Sequence, residues 1–205
     1  MKKDELVSVI IPTLPSRKKE LKRAIQSVQK QTYSNIEIII ESGGKNVMDA
    51  RNIAVAKSKG KYIAFLDDDD EFYPTKIEKQ VKFMESHINC PLCITFADDY
   101  RFGNHLYHQY QPKEWHNFKD LISGFNITCT SAFMVRRATY DLIGGMDDTL
   151  LGSEEYDLAI RLSRYSRIYC IQESLVKFNK ANDGNRSCDY SNKIKDMIVF
   201  ARKHG

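Results

Sequence analysis

No stretch of the 205 residues has the run of apolar side chains that spanning a bilayer requires, so any membrane contact would be made from the surface. The start, MKKDELVSVII, carries charges but no apolar core long enough for an export signal. Five cysteines are an odd number for a disulfide framework, and together these two absences lead us to expect a reducing cytoplasm. Cys90 and Cys93 have redox spacing, but they lead into an apolar run and no second pair completes a zinc site. A structural or incidental role is therefore expected for them. Charge of one sign is also missing. Against 31 basic residues stand 27 acidic ones, and a net charge of +4 is too mild for a nucleic-acid binder while remaining compatible with anionic small substrates. Repeats, low-complexity tracts and an obvious linker are absent too. With 42% hydrophobic residues, the chain can bury one full core as a single domain.

What is present is an alternation of strand and helix patterns, which predicts an α/β fold with a mostly parallel sheet flanked by helices. Residues 7–11, 36–40, 62–66 and 92–97 read as strands, and 131–135, 167–171 and 175–178 as later ones. Leu21, Ala24, Ile25 and Val28 recur at helical spacing, with Ser16 as the expected N-cap. Helices are expected over 47–59 with Gly60 as the stop, and from Pro74 to about His87 with Ile77, Val81, Met84 and Ile88 on one face. Tyr100–Tyr110 reads as a hairpin around Gly103-Asn104, with His105 and His108 exposed on it. Short helices are expected over 117–123 and 137–143, the second closed by Gly144-Gly145. A further helix covers 154–165 and a basic one ends the chain.

The run from residue 61 to 74, KYIAFLDDDDEFYP, organises the rest. Its apolar half is a strand buried on both faces, and it runs straight into four carboxylates, Asp67 to Asp70. Adjacent aspartates raise one another's pKa values unless a cation shares the site. Hard oxygen ligands at a strand's carboxyl end suit Mg²⁺ or Mn²⁺, which bridge protein carboxylates to substrate phosphates. In open α/β sheets the crevice beyond the carboxyl ends holds the ligand, which here would gather Thr13, Glu41 and the aspartates.

The order of pieces adds to this. VSVIIPT, SVQKQTYSNIEIII, ARNIAVAKSKGKYIAFLDDDD, GGMDD and EEYDLAIRL, in register over residues 6–178, closely resemble the family 2 glycosyltransferases with the GT-A fold. The resemblance implies a Rossmann-like single domain with a donor half (about 1–98), an acceptor half (about 99–178) and a basic tail (179–205). It also implies inverting transfer from a nucleotide-sugar, usually a UDP-sugar, assisted by Mn²⁺ or Mg²⁺, as in polysaccharide biosynthesis. Matched residue by residue, Pro12 and Thr13 would lie along the nucleoside, and Glu41 stands where the family has an Asp that accepts from the base. Arg51 would meet the base or phosphates. The Asp-x-Asp pattern falls on Asp67 and Asp69, with Asp69 the leading metal ligand, Asp70 the runner-up, Asp67 a further metal candidate nearer the ribose or a metal-bound water, and Asp68 beside the nucleotide. Glu155 takes the place of the general base, with Glu154 and Asp157 as alternatives. Asn182 replaces a late His, and Lys180 and Arg186 are candidates for diphosphate contacts. The acceptor would be a glycan, a lipid-linked sugar or a protein. The tail carries Lys193, Lys195, Arg202 and Lys203, which suits an interfacial helix on the inner face of the membrane or packing on its own domain. The rival from another class is a non-catalytic nucleotide-sugar binding module. A nucleotidyltransferase is disfavoured by the lack of a Gly-rich phosphate loop near the first strand.

Overall fold

The computed structural model describes residues 4–101, 105–123, 127–150, 152–179 and Lys203. Its first strand, β1 (Val7–Pro12), is entirely buried and pairs in parallel with β2 (Ile36–Glu41) on one side and β3 (Tyr62–Phe65) on the other. A strand with neighbours on both edges and helices on both faces needs apolar side chains throughout, which VSVII supplies. The parallel register sets Pro12 beside Glu41 and Ile10 beside Phe65. Thr13, Ser42 and Asp67 therefore leave the sheet along one edge.

The crossovers are α1 (Lys18–Gln29) and α2 (Val47–Lys57). Ala24 and Val28 of α1 are buried, with Leu21 and Ile25 packed against the core, as the periodicity predicts. Ser16 is not its cap; Arg17 flanks the first turn, without a capping hydrogen bond. The α2 N-cap is Asn46, whose side chain accepts from the Asp49 amide at 3.0 Å. That helix ends at Ser58, so Gly60 is no helix stop. Glycine is required at 60 for another reason: a Cβ there would lie 2.5 Å from the Ser8 amide nitrogen and 2.9 Å from the Leu6 carbonyl.

After β3 come the two-residue β4 (Glu71–Phe72), then α3 (Lys76–Ser86) and β5 (Leu92–Arg101), longer than expected. Ile77, Val81 and Met84 are buried on α3, but Ile88 lies beyond its end and is exposed. The periodicity missed Lys76. It is fully buried and donates to Gln80 Oε1 at 2.7 Å, and burial pulls its amine down to about 7. Gln80 in turn donates to the Cys93 and Ala132 carbonyls, fastening α3 to the turn below the aspartates.

The later half adds β6 (His105–Tyr110), antiparallel to β5 as the hairpin reading expects, and the short β7 (Trp115–His116) and α4 (Phe118–Ser123). Residues expected as one strand from Ser131 are instead a 3-10 turn, Thr130–Ala132, followed by β8 (Met134–Arg136). Next are α5 (Arg137–Leu142), α6 (Glu154–Ser163) and β9 (Ile168–Asn179), the last a single irregular strand where two were expected. The sheet order is β2-β1-β3-β8-β5-β9-β4, with β6 beside β5 and β7 beside β9. One mixed, mostly parallel sheet with flanking helices is the GT-A arrangement expected. Cys90, Cys93, Cys129 and Cys170 are free thiols, with no disulfide among the described residues. Asn182, Lys180, Arg186, the hairpin tip and the tail helix lie outside the described residues, Lys203 excepted. Lys203 pairs with Asp147 and with buried Asp157 of the same domain. Among the described residues no helix is long and apolar enough to cross a membrane.

Candidate active site

A cleft of about 620 Å³ opens at the carboxyl edge of β1, β2 and β3, within the size range of small-ligand sites. Pro12, Thr13 and Arg17 line it from the β1 side, and Ser42 to Asn46 from the loop after β2. Asp67, Asp68 and Asp69 form its floor, and Glu154, Glu155 and Phe178 come from the later half. In the loop after β2, Gly44 holds φ +99°, and a Cβ there would lie 2.9 Å from the Ala50 amide nitrogen.

The four aspartates have four different fates. Asp67 lines the cleft and accepts from Arg51 at 2.5 Å, while its amide donates to Ser131 Oγ at 3.0 Å. Asp68 is buried, held by the Thr13 hydroxyl at 2.7 Å and by Arg17 Nε at 3.1 Å. Asp69 lines the cleft and accepts from the other end of Arg17 at 2.7 Å. Asp70 is fully buried and turned away from the cleft, accepting from the Ser131 hydroxyl and the Asn179 amide. Burial, with Asp69 and Asp67 close by, pushes its carboxyl well above the ordinary range. The expectation that Asp70 is a metal ligand is corrected accordingly: its two oxygens anchor the loop to Ser131 and the end of β9. Burial also raises Asp68 and Asp69.

Among the described residues no three His, Cys, Asp or Glu side chains converge as a metal cage. Asp67 and Asp69 nevertheless fit a divalent ion. Mg²⁺ and Mn²⁺ take one or two hard protein carboxylates and complete their shell with phosphate oxygens and water, and these two carboxylates both line the cleft.

Glu41 and Arg51 sit differently from their expected roles. Glu41 does not line the cleft; Lys57 Nζ takes one carboxylate oxygen and the Gly43 amide, at 2.8 Å, takes the other. These contacts, Lys57 first, hold its carboxyl below the usual range. Its place at the end of β2 lets it shape the loop rather than reach a base. Arg51 is 2% exposed, and its fork is spent on Asp67 and, at 3.4 Å, on Glu154. It ties the aspartate run to the start of α6 and is not free to extend to a base or phosphate. Thr13 likewise commits its hydroxyl to Asp68.

Glu155 stands in the first turn of α6 at the cleft wall. Burial, followed by repulsion from Glu154, pushes its carboxyl up to about 8. A carboxylate raised this far is a stronger proton acceptor once ionised, which it becomes as the pH passes about 8. Asp157 is fully buried and bound to Arg161 at 2.6 Å, away from the cleft. Sequence reasoning missed Arg17, Ser131 and Phe178. Arg17 had a signal in its nearness to Pro12-Thr13, whereas Ser131 and Phe178 reach the site only through the fold.

Comparison with known proteins agrees with this architecture. The family model described as Glycosyl transferase family 2 matches residues 41–144, just over half of the chain. An uncharacterized glycosyltransferase of Methanocaldococcus jannaschii is 26% identical over 96% of this chain and 77% of its own length. The Escherichia coli protein WfaP, named as a UDP-Glc:alpha-D-GlcNAc-diphosphoundecaprenol beta-1,3-glucosyltransferase, is 37% identical over 40% of this chain and 42% of its own. Among solved structures, S. aureus TarS 1–349 in complex with UDP-GlcNAc superposes with a TM-score of 0.69 at 16% identity, covering 90% of this chain and 61% of that one. The last shows likeness of fold. With the family model spanning the β2 end, the aspartate run and the turn beneath it, the chain belongs to glycosyl transferase family 2.

Proposed function

We propose that this chain binds a nucleotide-diphosphate sugar, a UDP-sugar in the first instance, and transfers the sugar with inversion to an acceptor hydroxyl. The observation that carries the reading is the shared cleft. Glu155 and the aspartates Asp67 and Asp69 line one space, and Arg51 ties Asp67 to the helix that bears Glu155. In the step proposed, the acceptor oxygen attacks the anomeric carbon and gives its proton to Glu155. The bond from that carbon to the diphosphate breaks, and the diphosphate leaves with the electron pair. Inversion requires the base and the leaving group on opposite sides of the carbon, so the floor aspartates are unsuited to the base's role. Asp67 and Asp69 would hold a Mn²⁺ or Mg²⁺ ion, which supplies charge neutralisation for the departing diphosphate.

The name of the E. coli relative supports choosing UDP-sugars and acceptors built on a lipid diphosphate for the first assays. Such an acceptor would bring the protein to the cytoplasmic face of a membrane as a peripheral visitor. The test is a screen of nucleotide-sugars with Mn²⁺, read as thermal stabilisation and as donor hydrolysis with and without acceptor. Turnover of one donor is expected, as is loss of most Mn²⁺-dependent UDP affinity in Asp69→Ala by calorimetry. Stabilisation by a donor that is never hydrolysed or transferred would leave a binding module instead. Undiminished UDP affinity in Asp69→Ala would remove the cation assignment.

A further inference from the structure

Two arginines meet the aspartate run, and they are held in opposite ways. Arg51 is buried and fastened at both ends of its fork. Arg17 is 34% exposed at the side chain, lies just ahead of α1 without a capping bond, and lines the cleft. Its Nε is 3.1 Å from Asp68 and its terminal nitrogen 2.7 Å from Asp69. Asp68 has a second partner in the Thr13 hydroxyl, whereas the described side-chain contact of Asp69 is Arg17.

Four consecutive carboxylates cannot share one loop without compensating charge. In the free protein, Arg17 supplies part of that charge at the carboxylate proposed to carry the divalent ion. Cation and guanidinium compete for the Asp69 carboxylate, so when one arrives the other is released. A released Arg17 remains tethered at the cleft wall, where the anion within reach is the donor's diphosphate. Guanidinium groups match phosphate oxygens with a bidentate fork. Lys45, an exposed basic residue that also lines the cleft, is paired with Asp148 at 2.7 Å.

We propose that Arg17 is an exchangeable counter-ion: it holds Asp68 and Asp69 in the free protein and passes to the donor diphosphate when a divalent cation takes Asp69. This rests on the nucleotide-sugar reading above. It adds that the aspartate run is kept charge-balanced by a side chain that becomes a donor-binding group.

The test is calorimetry on Arg17→Gln and Arg17→Lys, with Mn²⁺ titrated into nucleotide-free protein and UDP titrated with and without Mn²⁺. Exchange makes the two ligands respond in opposite directions. Arg17→Gln should bind Mn²⁺ alone roughly tenfold more tightly, since no guanidinium competes. It should bind UDP in the presence of Mn²⁺ roughly tenfold more weakly, since a charge-assisted contact to phosphate is lost. Arg17→Lys should fall between the two for both ligands. A guanidinium that merely stays on the aspartates would give tighter Mn²⁺ binding with UDP affinity unchanged or improved, and that result overturns the proposal. Unchanged affinities for both ligands overturn it as well. Should the parent protein bind UDP yet show no response to Mn²⁺, the cation assignment is what fails. The UDP arm then decides alone: weaker binding in Arg17→Gln keeps Arg17 as a diphosphate ligand, and equal binding removes it.

Discussion

Arg51 stands 2.5 Å from Asp67 and 3.4 Å from Glu154, with almost no access to water. Removing Arg51 leaves Asp67 and Glu154 without compensating charge. Because both line the cleft, where solvent screens them in part, the cost should be about 1–3 kcal/mol rather than that of a fully buried pair. Arg51→Ala should lose stability of that order in urea unfolding. Arg51→Lys should lose less, because one ammonium keeps the charge but cannot span both carboxylates. A midpoint unchanged in both variants would show that the strut holds nothing. The second residue-scale expectation concerns Glu155. Its carboxyl is raised to about 8, so below that pH it is mostly protonated and cannot accept a proton. The rate should therefore rise with pH through the region of about 8 and level off above it. Glu155→Gln should lower turnover by roughly 10²–10⁴-fold, flatten the rising limb and leave donor affinity nearly unchanged. A variant that keeps the parent rate and profile would move the base to Glu154.

At the scale of elements, the contact between β1 and the turn into β3 leaves no room for a side chain. The Gly60 amide donates to Ser8 Oγ at 2.8 Å, and an added Cβ would press on Ser8 and Leu6 backbone atoms that belong to the central strand and its approach. Backbone cannot step aside as a flexible side chain can. Gly60→Ala should cost about 1–3 kcal/mol, read as a lowered thermal midpoint. The helix-stop role expected from the sequence would instead predict a milder change, of the order of a C-cap replacement. The same neighbourhood shows how local signals divide. The buried runs of β1 and β3 and the apolar face of α1 were legible because their period is written in adjacent residues. β4 and β7, with two residues each, are too short to carry a period, and β8 begins where a 3-10 turn breaks the expected strand.

Across the whole molecule the two halves do not sit side by side. β8, from the later half, lies between β3 and β5 of the earlier half, and β5 then pairs with β9. A fragment of residues 1–98 would leave β3 and β5 without the strand that joins them, so it should not fold alone. The intact chain should unfold in one transition. Its single tryptophan, Trp115 in β7 of the later half, gives a local probe to set against far-ultraviolet circular dichroism. Coincident midpoints are expected, and an earlier tryptophan transition would mean that the halves uncouple.

The chain by itself determined its fold class, the position of the cleft and the identity of the carboxylates. A buried strand that ends in acids, flanked by amphipathic helices, has few ways to fold and one edge at which to present those acids. It could not determine which acids face the cleft. Asp67, Asp69 and Asp70 look alike in sequence, and Asp70 is turned inward only because Ser131 and Asn179, from distant elements, receive it. Nor could it place Arg51, whose partners lie 16 and 103 positions away, or show that Lys57 takes Glu41. These choices depend on which charged groups the fold brings within a few ångströms of one another. Coulomb attraction at low dielectric is decided by distance in space, on which distance along the chain is silent.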